Sequence, residues 1–423
     1  MADTLIRGAR VIDPAAGRDE TTDLLMRDGR IAAVGSELSA VGAAVVEAAG
    51  LVCAPGLVDM HVHLRDPGQT HKEDVLTGCR AAAAGGVTSL ACMPNTSPVC
   101  DTPAVVAEIL EKATGADARV YPVAAVSKGL GGQEMTDFAA LRAAGAIAVS
   151  EDGRPVATAD LMQRALREAA ANGLAVLAHC EELSLVRGGI MHLGEVSRAL
   201  GVPGIDPAAE DVATAREIAL AASTGCPVHI CHVSTAGSVA LIRDAQRRGV
   251  PVTGETAPHY LLLTDEALRG RDADYRMNPP LRTAADAAAL REALRDGTLA
   301  AMATDHAPHT PEEKADFATA PNGSIGMETS LAASLTALVH TGVLTLPELV
   351  RRMSTTPASI LGIPAGTLAV GAAADVVLFD PEEEWTVDPA ALHGKSRNTP
   401  FKGMTLRGRV RATWLGGRAV YRM

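Results

Sequence analysis

The feature that most constrains the fold is a regular alternation, from Leu57 onward, between short apolar runs and alanine-rich segments. Each apolar run has the length of a buried strand, and each alanine-rich segment repeats its apolar residues at helical spacing. The predicted strands are Val58–His63, Thr88–Cys92, Val120–Ala125, Ile147–Ser150, Val176–His179, Val228–His232, Val252–Glu255 and Ala300–Asp305. Eight strands, each followed by a crossover, are typical of a (β/α)8 TIM barrel in the α/β class.

Both ends of the chain have a different texture, with short alternating strands separated by turn residues such as Asp-Gly and Pro-Gly. We therefore predict one smaller β-sandwich domain built from both ends. The predicted boundaries are 1–55 for its first part, 56–360 for the catalytic barrel and 361–423 for its second part.

Composition excludes several classes of partner. The formal net charge is −12 and no basic tract is present, so we expect no binding to nucleic acid. No stretch approaches the roughly 18 consecutive apolar residues that a membrane span needs, and the N-terminus lacks a signal-peptide pattern, so we expect no membrane association and a cytoplasmic protein. The seven cysteines form no Cys-x-x-Cys pair and are predicted to be buried thiols.

Imidazole and carboxylate side chains recur at the predicted strand ends. His61 and His63 are two residues apart and should project together from the end of the first barrel strand, which is the end where barrel active sites are built. A single His-x-His is weak, because two polar residues at a strand end are common. His179, His232 and Asp305 end three further strands, however, so the combination predicts a metal site.

Histidine and carboxylate ligands without a set of thiolates are typical of a hydrolytic zinc site. Two zinc ions would need a bridging ligand, for which we predict Asp152 in "AVSEDGRP", with Glu151 as the competitor. His229 is separated from His232 by an odd spacing and is expected to face away. Four other histidines are expected to be surface or packing residues, namely His71, His192, His340 and His393.

The residues then match a known family, since the chain resembles the class I dihydroorotases of the amidohydrolase superfamily from end to end. Four motifs in combination carry this resemblance: "DMHVHLRDPG" at 59–68, "MPNT" at 93–96, "ATDHAPHTPEEK" at 303–314 and "GKSRNTPFKG" at 394–403. The segment "GTLAVGAAADVVLFD" is similar to the β-domain of the whole superfamily and discriminates less.

The resemblance implies one or two zinc ions, with two favoured. One would be held by His61, His63 and Asp305 and the other by His179 and His232, with Asp152 as the bridge. It further implies that Asp305 is catalytic and moves a proton between the attacking water and the ring nitrogen. The residues implied to bind the substrate are His63, Arg65, Asn95, Asn278, His309, Asn322 and Gly323.

Two departures from the family pattern are present. Asn322 stands where the family usually has an aromatic residue, so only a backbone contact near Asn322 and Gly323 carries over. Glu151 stands where another aspartate is usual. The loop 309–326 is polar, contains glycine and proline, and is predicted to act as a lid, with an ordinary surface loop as the alternative.

The implied reaction is the reversible interconversion of N-carbamoyl-L-aspartate and dihydroorotate in pyrimidine biosynthesis. One alternative is an allantoinase or hydantoinase, whose metals are typically bridged by a carboxylated lysine; residues 145–155 contain no lysine. Another is a non-catalytic scaffold for aspartate transcarbamoylase, which the filled ligand positions disfavour. The family also suggests association with that enzyme and a homo-oligomer.

Overall fold

The structure is a computed structural model that describes residues 3–39 and 41–423. The described strands, numbered along the chain, are β1 (Thr4–Asp13), β2 (Arg18–Arg27), β3 (Arg30–Gly35), β4 (Ala44–Glu47), β5 (Val52–Pro55), β6 (Leu57–Val62), β7 (Val87–Cys92), β8 (Arg119–Ala125), β9 (Ala148–Ser150), β10 (Ala175–Ala178), β11 (Met191–His192), β12 (Gly204–Ile205), β13 (Val228–Ile230), β14 (Val252–Thr256), β15 (Ala301–Met302), β16 (Val376–Thr386), β17 (Thr405–Leu415) and β18 (Arg418–Arg422).

The α-helices are α1 (Val75–Ala84), α2 (Pro103–Lys112), α3 (Phe138–Ala144), α4 (Ala159–Ala171), α5 (Leu183–Val186), α6 (Glu195–Leu200), α7 (Ala208–Thr224), α8 (Ala236–Arg247), α9 (Pro258–Leu262), α10 (Ala284–Asp296), α11 (Ser330–Ser334), α12 (Leu346–Val350) and α13 (Thr356–Leu361). Short 3-10 turns lie at Lys128–Leu130, Asp265–Gly270, Ala273–Tyr275, Met327–Thr329 and Pro389–Ala391, and π-helical turns lie at Leu335–Val339 and Arg351–Thr355. Within the described ranges, no helix is both long and apolar enough to span a membrane.

All eight predicted barrel strands are present, so the predicted fold class is confirmed. They pair in parallel in the order β6-β7-β8-β9-β10-β13-β14-β15. The first and last strands approach each other through a parallel bridge between Val62 and His306, and the His63 N–H donates to the His306 carbonyl at 2.8 Å. Every residue of β6 and β7 is buried, because helices and the neighbouring domain cover the outer face while side chains fill the interior.

Threonines begin several of the crossover helices. The side chains of Thr102, Thr158, Thr235 and Thr283 accept hydrogen bonds from the first turns of α2, α4, α8 and α10. An oxygen at this position satisfies one of the amide groups that the start of a helix leaves without an intrahelical partner. The strand-to-helix connections are thereby fixed close to the rim where the site lies.

Both ends of the chain contribute to one mixed sheet of eight strands, β3-β2-β1-β5-β16-β17-β18, with β4 also paired to β1. Its core contains Ile6, Leu24, Val376 and Trp414, all almost fully buried. The domain boundaries at 55/56 and 360/361 stay a prediction. Of the seven cysteines, all of them free, six are buried and Cys226 is half-buried.

The β-domain is fastened to the barrel by polar contacts as well as by apolar packing. Arg119, at the start of β8, donates two hydrogen bonds to the Asp375 carboxylate, at 2.8 and 3.0 Å. The Thr413 hydroxyl donates to the carbonyl of Ala83 in α1 at 2.7 Å. These contacts hold Asp375, just before β16, and Thr413 of β17 against the barrel.

Candidate metal centre and substrate cleft

The six predicted metal ligands come together at the carboxyl ends of the barrel strands. His61 lies near the end of β6, and His63 follows that strand; Asp152 follows β9, His179 follows β10, and His232 and Asp305 follow β13 and β15. All six are buried, with exposed fractions of 8% or less. His232 and Asp305 have positive φ angles of 35° and 47°, as does Arg65 at 60°. Such left-handed backbone is uncommon for residues other than glycine and is concentrated at functional sites.

Asp152 lies between the two predicted halves of the cluster. Its Oδ1 is 3.2 Å from His61 Nε2, 3.4 Å from His179 Nδ1 and 3.7 Å from His232 Nε2. Its Oδ2 is 3.4 Å from His63 Nε2. The two oxygens of one carboxylate thus face different imidazoles, which is the arrangement a bridging ligand needs.

Glu151, the competing bridge, points elsewhere. Its carboxylate accepts hydrogen bonds from the backbone N–H of Ser127 at 2.9 Å and from the Ser127 hydroxyl. Burial, only partly offset by these hydrogen bonds, raises the pKa of Glu151. The structure therefore separates the roles of two adjacent acids that the sequence left open, and Asp152 is the one that lies among the histidines.

The donor set fits a divalent metal. Potential ligand atoms of His61, Asp152 and His232 all lie within 4.8 Å of one another, as do those of His61, His63 and Asp305. Among the described residues, His61 Nε2 has no hydrogen-bond partner, although it is buried and faces two carboxylates. Burial opposes ionisation of Asp305, but His63 and His61 outweigh it and lower the pKa of its carboxyl group to about 2. Although burial opposes it, Asp152 in turn raises the pKa of His61, and Asp152 with Glu181 raises the pKa of His179 to about 10. Zinc requires neutral imidazoles and ionised carboxylates, so its binding would displace protons from these two rings.

Glu255, the last residue of the predicted seventh strand, takes part in a way that the sequence did not indicate. It is fully buried, with one oxygen 3.4 Å from His61 Nδ1 and the other 3.3 Å from His229 Nε2. Burial opposes its ionisation, but the two imidazoles outweigh it and lower the pKa of Glu255 to about 2. A carboxylate behind a ligand imidazole fixes which nitrogen faces the metal. The signal that could have found it is its position at a strand end, like that of the histidines.

His229 does not join the six clustered residues. Its imidazole Nδ1 lies 2.8 Å from the Thr253 hydroxyl, in the barrel interior beneath His61. Its ring therefore supports Glu255 rather than facing away from the barrel axis. Of the other histidines, His71 is exposed and His192 is buried away from the cluster.

All the predicted substrate-binding residues line one cleft of about 280 Å3. Its lining also includes the predicted ligands Asp152, His179 and Asp305, together with Gln69, Lys72, Gly153 and Ala307. Gln69 and Lys72 were not predicted from the sequence. The cleft thus places four of the six predicted metal ligands and the predicted substrate-binding residues around the same space.

Asn95 and Asn278 line the cleft, and each also helps to position a predicted histidine ligand. The Asn95 Oδ1 is 2.8 Å from His63 Nδ1, which leaves His63 Nε2 directed at the acids. The Asn278 Nδ2 donates to Glu181 at 3.0 Å, and the other oxygen of Glu181 is 3.6 Å from His179 Nε2. Asn278 Oδ1 is buried and has no hydrogen-bond partner within the described ranges.

Arg65 is the main cation of the cleft, and its side chain is buried. Its Nε donates to the Pro308 carbonyl at 3.3 Å, and its Nη2 lies 3.4 Å from His309 Nε2. Among residues 3–39 and 41–423, no carboxylate lies close enough to form a salt bridge with it. A buried guanidinium without an anionic partner is costly, so this geometry is suited to an anionic ligand.

His309 is held as a neutral imidazole. Burial, followed by the charges of Arg65 and Lys72, lowers its pKa to about 3. Its Nε2 lies 3.0 Å from the Asn322 carbonyl and 3.4 Å from Arg65 Nη2, and its Nδ1 lies 3.2 Å from Glu313 and 3.5 Å from Lys72 Nζ. Each ring nitrogen therefore faces one donor and one acceptor, so either neutral tautomer has partners. The Gly323 N–H donates to the Arg276 carbonyl at 2.9 Å.

The chain is similar over its whole length to curated proteins and to solved structures. A family model described as dihydro-orotase-like matches residues 50–238. A dihydroorotase from Citrifermentans bemidjiense is 52% identical and one from Geobacter sulfurreducens is 54% identical, each over 99% of both chains. The solved structure of an L-hydantoinase (dihydropyrimidinase) from Arthrobacter aurescens superposes with a TM-score of 0.88 at 28% identity, covering 100% of this chain and 96% of that one.

Proposed function

The chain belongs to the dihydroorotase family, and from that premise we propose that its rim cluster catalyses the reversible conversion of N-carbamoyl-L-aspartate to (S)-dihydroorotate and water in pyrimidine biosynthesis. The enzyme is a hydrolase of cyclic amides. The observation that carries the choice of substrate is Arg65, a buried cation that has no carboxylate partner among residues 3–39 and 41–423 and that lines the same cleft as four of the predicted metal ligands. Dihydroorotate supplies the missing carboxylate.

The six clustered side chains would hold zinc, with two ions favoured because Asp152 faces both halves. When bound, the metal would polarise the amide carbonyl and lower the pKa of water to about 7. The zinc identity and the count of two are parts of the proposal. Glu255 and Glu181 would fix the orientation of His61 and His179 from behind.

Asp305 is placed to carry the proton. Its carboxyl group is ionised at neutral pH and lies 3.1 Å from His63 Nε2, at the wall of the cleft. In the hydrolytic direction it would take a proton from the attacking water and deliver it to the ring nitrogen as the carbon–nitrogen bond breaks. In the biosynthetic direction the same carboxyl group would accept the proton from the carbamoyl nitrogen as the ring closes and return it to the departing water.

The remaining cleft residues would orient the substrate. Arg65 would donate to the substrate carboxylate, joined by the amide of Asn95 and by the imidazole of His309. Asn278 would contact the ring from the same cleft. Two parallel hydrogen bonds from a planar guanidinium fix the orientation of a carboxylate, and with it that of the ring against the cluster.

A second candidate is a hydantoinase-type activity, because the L-hydantoinase structure has the same fold over the whole chain. A hydantoin substrate would leave Arg65 without an anionic partner. In addition, residues 145–155 contain no lysine that could bridge two metal ions after carboxylation. A non-catalytic scaffold is disfavoured because all six ligand positions are filled. Association with aspartate transcarbamoylase, a homo-oligomeric state and a cytoplasmic location stay predictions.

The test is steady-state kinetics of the purified protein with metal content measured on the same sample. Dihydroorotate, dihydrouracil, hydantoin and allantoin would be compared as substrates. We expect kcat/KM for dihydroorotate to exceed the others by at least about 100-fold, because a site built for a polar group rejects analogues that lack it. Equal or faster turnover of hydantoin would replace the proposal by the second candidate.

A further inference from the structure

The motif "GKSRNTPFKG" at 394–403 has no role in the chemistry described above, although its sequence is specific. It belongs to the connection between β16 and β17 of the β-domain and extends over the barrel rim. Within it, Asn398 is buried, with an exposed fraction of 4%. A buried amide side chain is costly unless its hydrogen bonds are satisfied, so its partners indicate what it is for.

Asn398 connects two separate stretches of the loop that follows β15. Its Oδ1 accepts a hydrogen bond from the His309 N–H at 3.2 Å. Its Nδ2 donates to the Ala307 carbonyl at 3.2 Å and to the Gly323 carbonyl at 3.1 Å. Its own carbonyl accepts from the Ile325 N–H at 3.1 Å. One residue of the β-domain therefore holds 307–309 against 323–325.

These two stretches carry the groups proposed to bind the substrate carboxylate. Pro308, between the two residues that Asn398 contacts, supplies the carbonyl that accepts from Arg65 Nε. His309 lies on the same stretch, and Gly323 on the other. The distance between the guanidinium and the imidazole consequently depends on where Asn398 holds this backbone.

The packing at Gly323 shows how little tolerance this arrangement has. Its φ is 138°, and an added Cβ would lie 2.8 Å from the Ala307 Cβ and 3.0 Å from His309 Nε2. The Gly323 carbonyl also accepts from Lys314 Nζ at 2.9 Å, so two buried donors converge on it. A shift of the Gly323 backbone by a fraction of an ångström would therefore displace the His309 ring.

We propose that Asn398 is a positioning residue that sets the selectivity of the cleft for carboxylate-bearing substrates. It touches no substrate atom itself and acts through the backbone of Ala307, His309 and Gly323. The proposal rests on the proposed function, because it assigns the carboxylate pocket to Arg65 and His309. It also assigns a role in specificity to the β-domain, which otherwise lies outside the cleft.

The test compares Asn398→Ala and Asn398→Asp with the wild type in the metal-loaded full chain. Aspartate keeps the shape and the acceptor for His309 but loses both Nδ2 donors, so it serves if the alanine variant does not fold. Asn172→Ala is the matched control, since Asn172 ends α4 and also donates locally through its side chain, to Glu168. Metal content and thermal midpoint would be measured for each variant.

For dihydroorotate we expect a 10- to 100-fold loss in kcat/KM, mostly as a raised KM, because misplacement of a binding group by about 1 Å has effects of this size. For dihydrouracil, the same ring without the carboxylate, we expect less than about a threefold change. Because both groups act on one pocket, Asn398→Ala added to Arg65→Met should cost less than about threefold beyond Arg65→Met alone.

Two results would overturn the assignment: an equal loss of kcat/KM on both substrates, or a double variant in which the losses from Asn398→Ala and Arg65→Met multiply in full. Either result would mean that Asn398 supports the fold in general and not the carboxylate pocket. The two proposals fail differently. Absence of a preference for dihydroorotate in the wild type contradicts the proposed function, whereas a preference that is undiminished in the Asn398 variants contradicts only the role of Asn398.

Discussion

Replacing Arg65 by Met tests the substrate assignment most directly. Met has a similar length and no charge, and the positive φ of 60° at this position is equally demanding for any side chain with a Cβ. The change removes two contacts within the protein, to the Pro308 carbonyl at 3.3 Å and to His309 at 3.4 Å. Neither is a salt bridge, so the fold should lose little stability.

The size of the effect follows from the bonds that the guanidinium would form to a carboxylate. A hydrogen bond between charged groups contributes about 1.5–3 kcal/mol, and two parallel bonds therefore contribute about 3–6 kcal/mol. His309 and Asn95 would retain part of the binding. We expect a loss of about 4 kcal/mol, which corresponds to roughly a 1,000-fold decrease in kcat/KM.

The assay is steady-state hydrolysis of dihydroorotate beside dihydrouracil, with Arg164→Met as the control. Arg164 is half-exposed and pairs only with Asp160 on the surface of α4, so its replacement should leave both substrates unaffected. The Arg65 variant should lose its preference for dihydroorotate while its slow reaction with dihydrouracil stays within a few-fold. If it retains dihydroorotate activity within about fivefold of the wild type, Arg65 does not bind the carboxylate.

Further predictions address the cluster and the loop. Asp305→Asn should lower kcat by at least about 1,000-fold, while binding of dihydroorotate, measured by calorimetry, persists. Near-normal rates would remove Asp305 from the mechanism. Asp152→Ala should lower the bound metal by at least one ion per chain and Glu151→Gln should not, as measured by metal analysis; the opposite pattern would make Glu151 the bridge. Lys314 donates to three backbone carbonyls, and burial lowers its pKa to about 8 from 10.5. The unfolded chain therefore binds more protons between pH 8 and 10.5, so this group makes the free energy of unfolding rise with pH there. Lys314→Met should remove this rise of the free energy of unfolding with pH, as measured by urea titrations at several pH values. The same pH dependence in the variant and the wild type would contradict the prediction.

The barrel and its rim were predictable because their signals are local. A parallel strand buried on both faces is a continuous apolar run, so β7 was predicted to within one residue. Strand ends then determine where the histidines meet. The last strand was predicted to reach Asp305 but ends at Met302. The Asp305 backbone has a positive φ, and its carboxylate lies 3.1 Å from His63 Nε2.

The contacts of the supporting residues were not predictable, because each forms between elements that are distant in the sequence. Glu255 becomes a partner of His61 only when the barrel brings β14 and β6 to face each other across its interior. Asn398 reaches His309 only because the β-domain connection lies over the rim. Neither contact leaves a spacing pattern in the chain, since spacing reports neighbours along one element and not between domains.

The comparison with the L-hydantoinase structure shows where substrate choice must be decided. Two chains that are 28% identical share one fold with a TM-score of 0.88, so the barrel and the layout of strand ends do not distinguish their substrates. What distinguishes this chain has to lie in loop residues that place charge in the cleft. Arg65 is such a residue, and its positive φ directs a buried cation toward a space that holds no protein carboxylate within salt-bridge distance of it among the described residues. Holding that cation in place requires a rigid backbone at 307–309, and Asn398 provides it from another domain. Under the two proposals, selectivity for a carboxylate would therefore depend on both domains, whereas the hydrolytic chemistry would depend on the barrel.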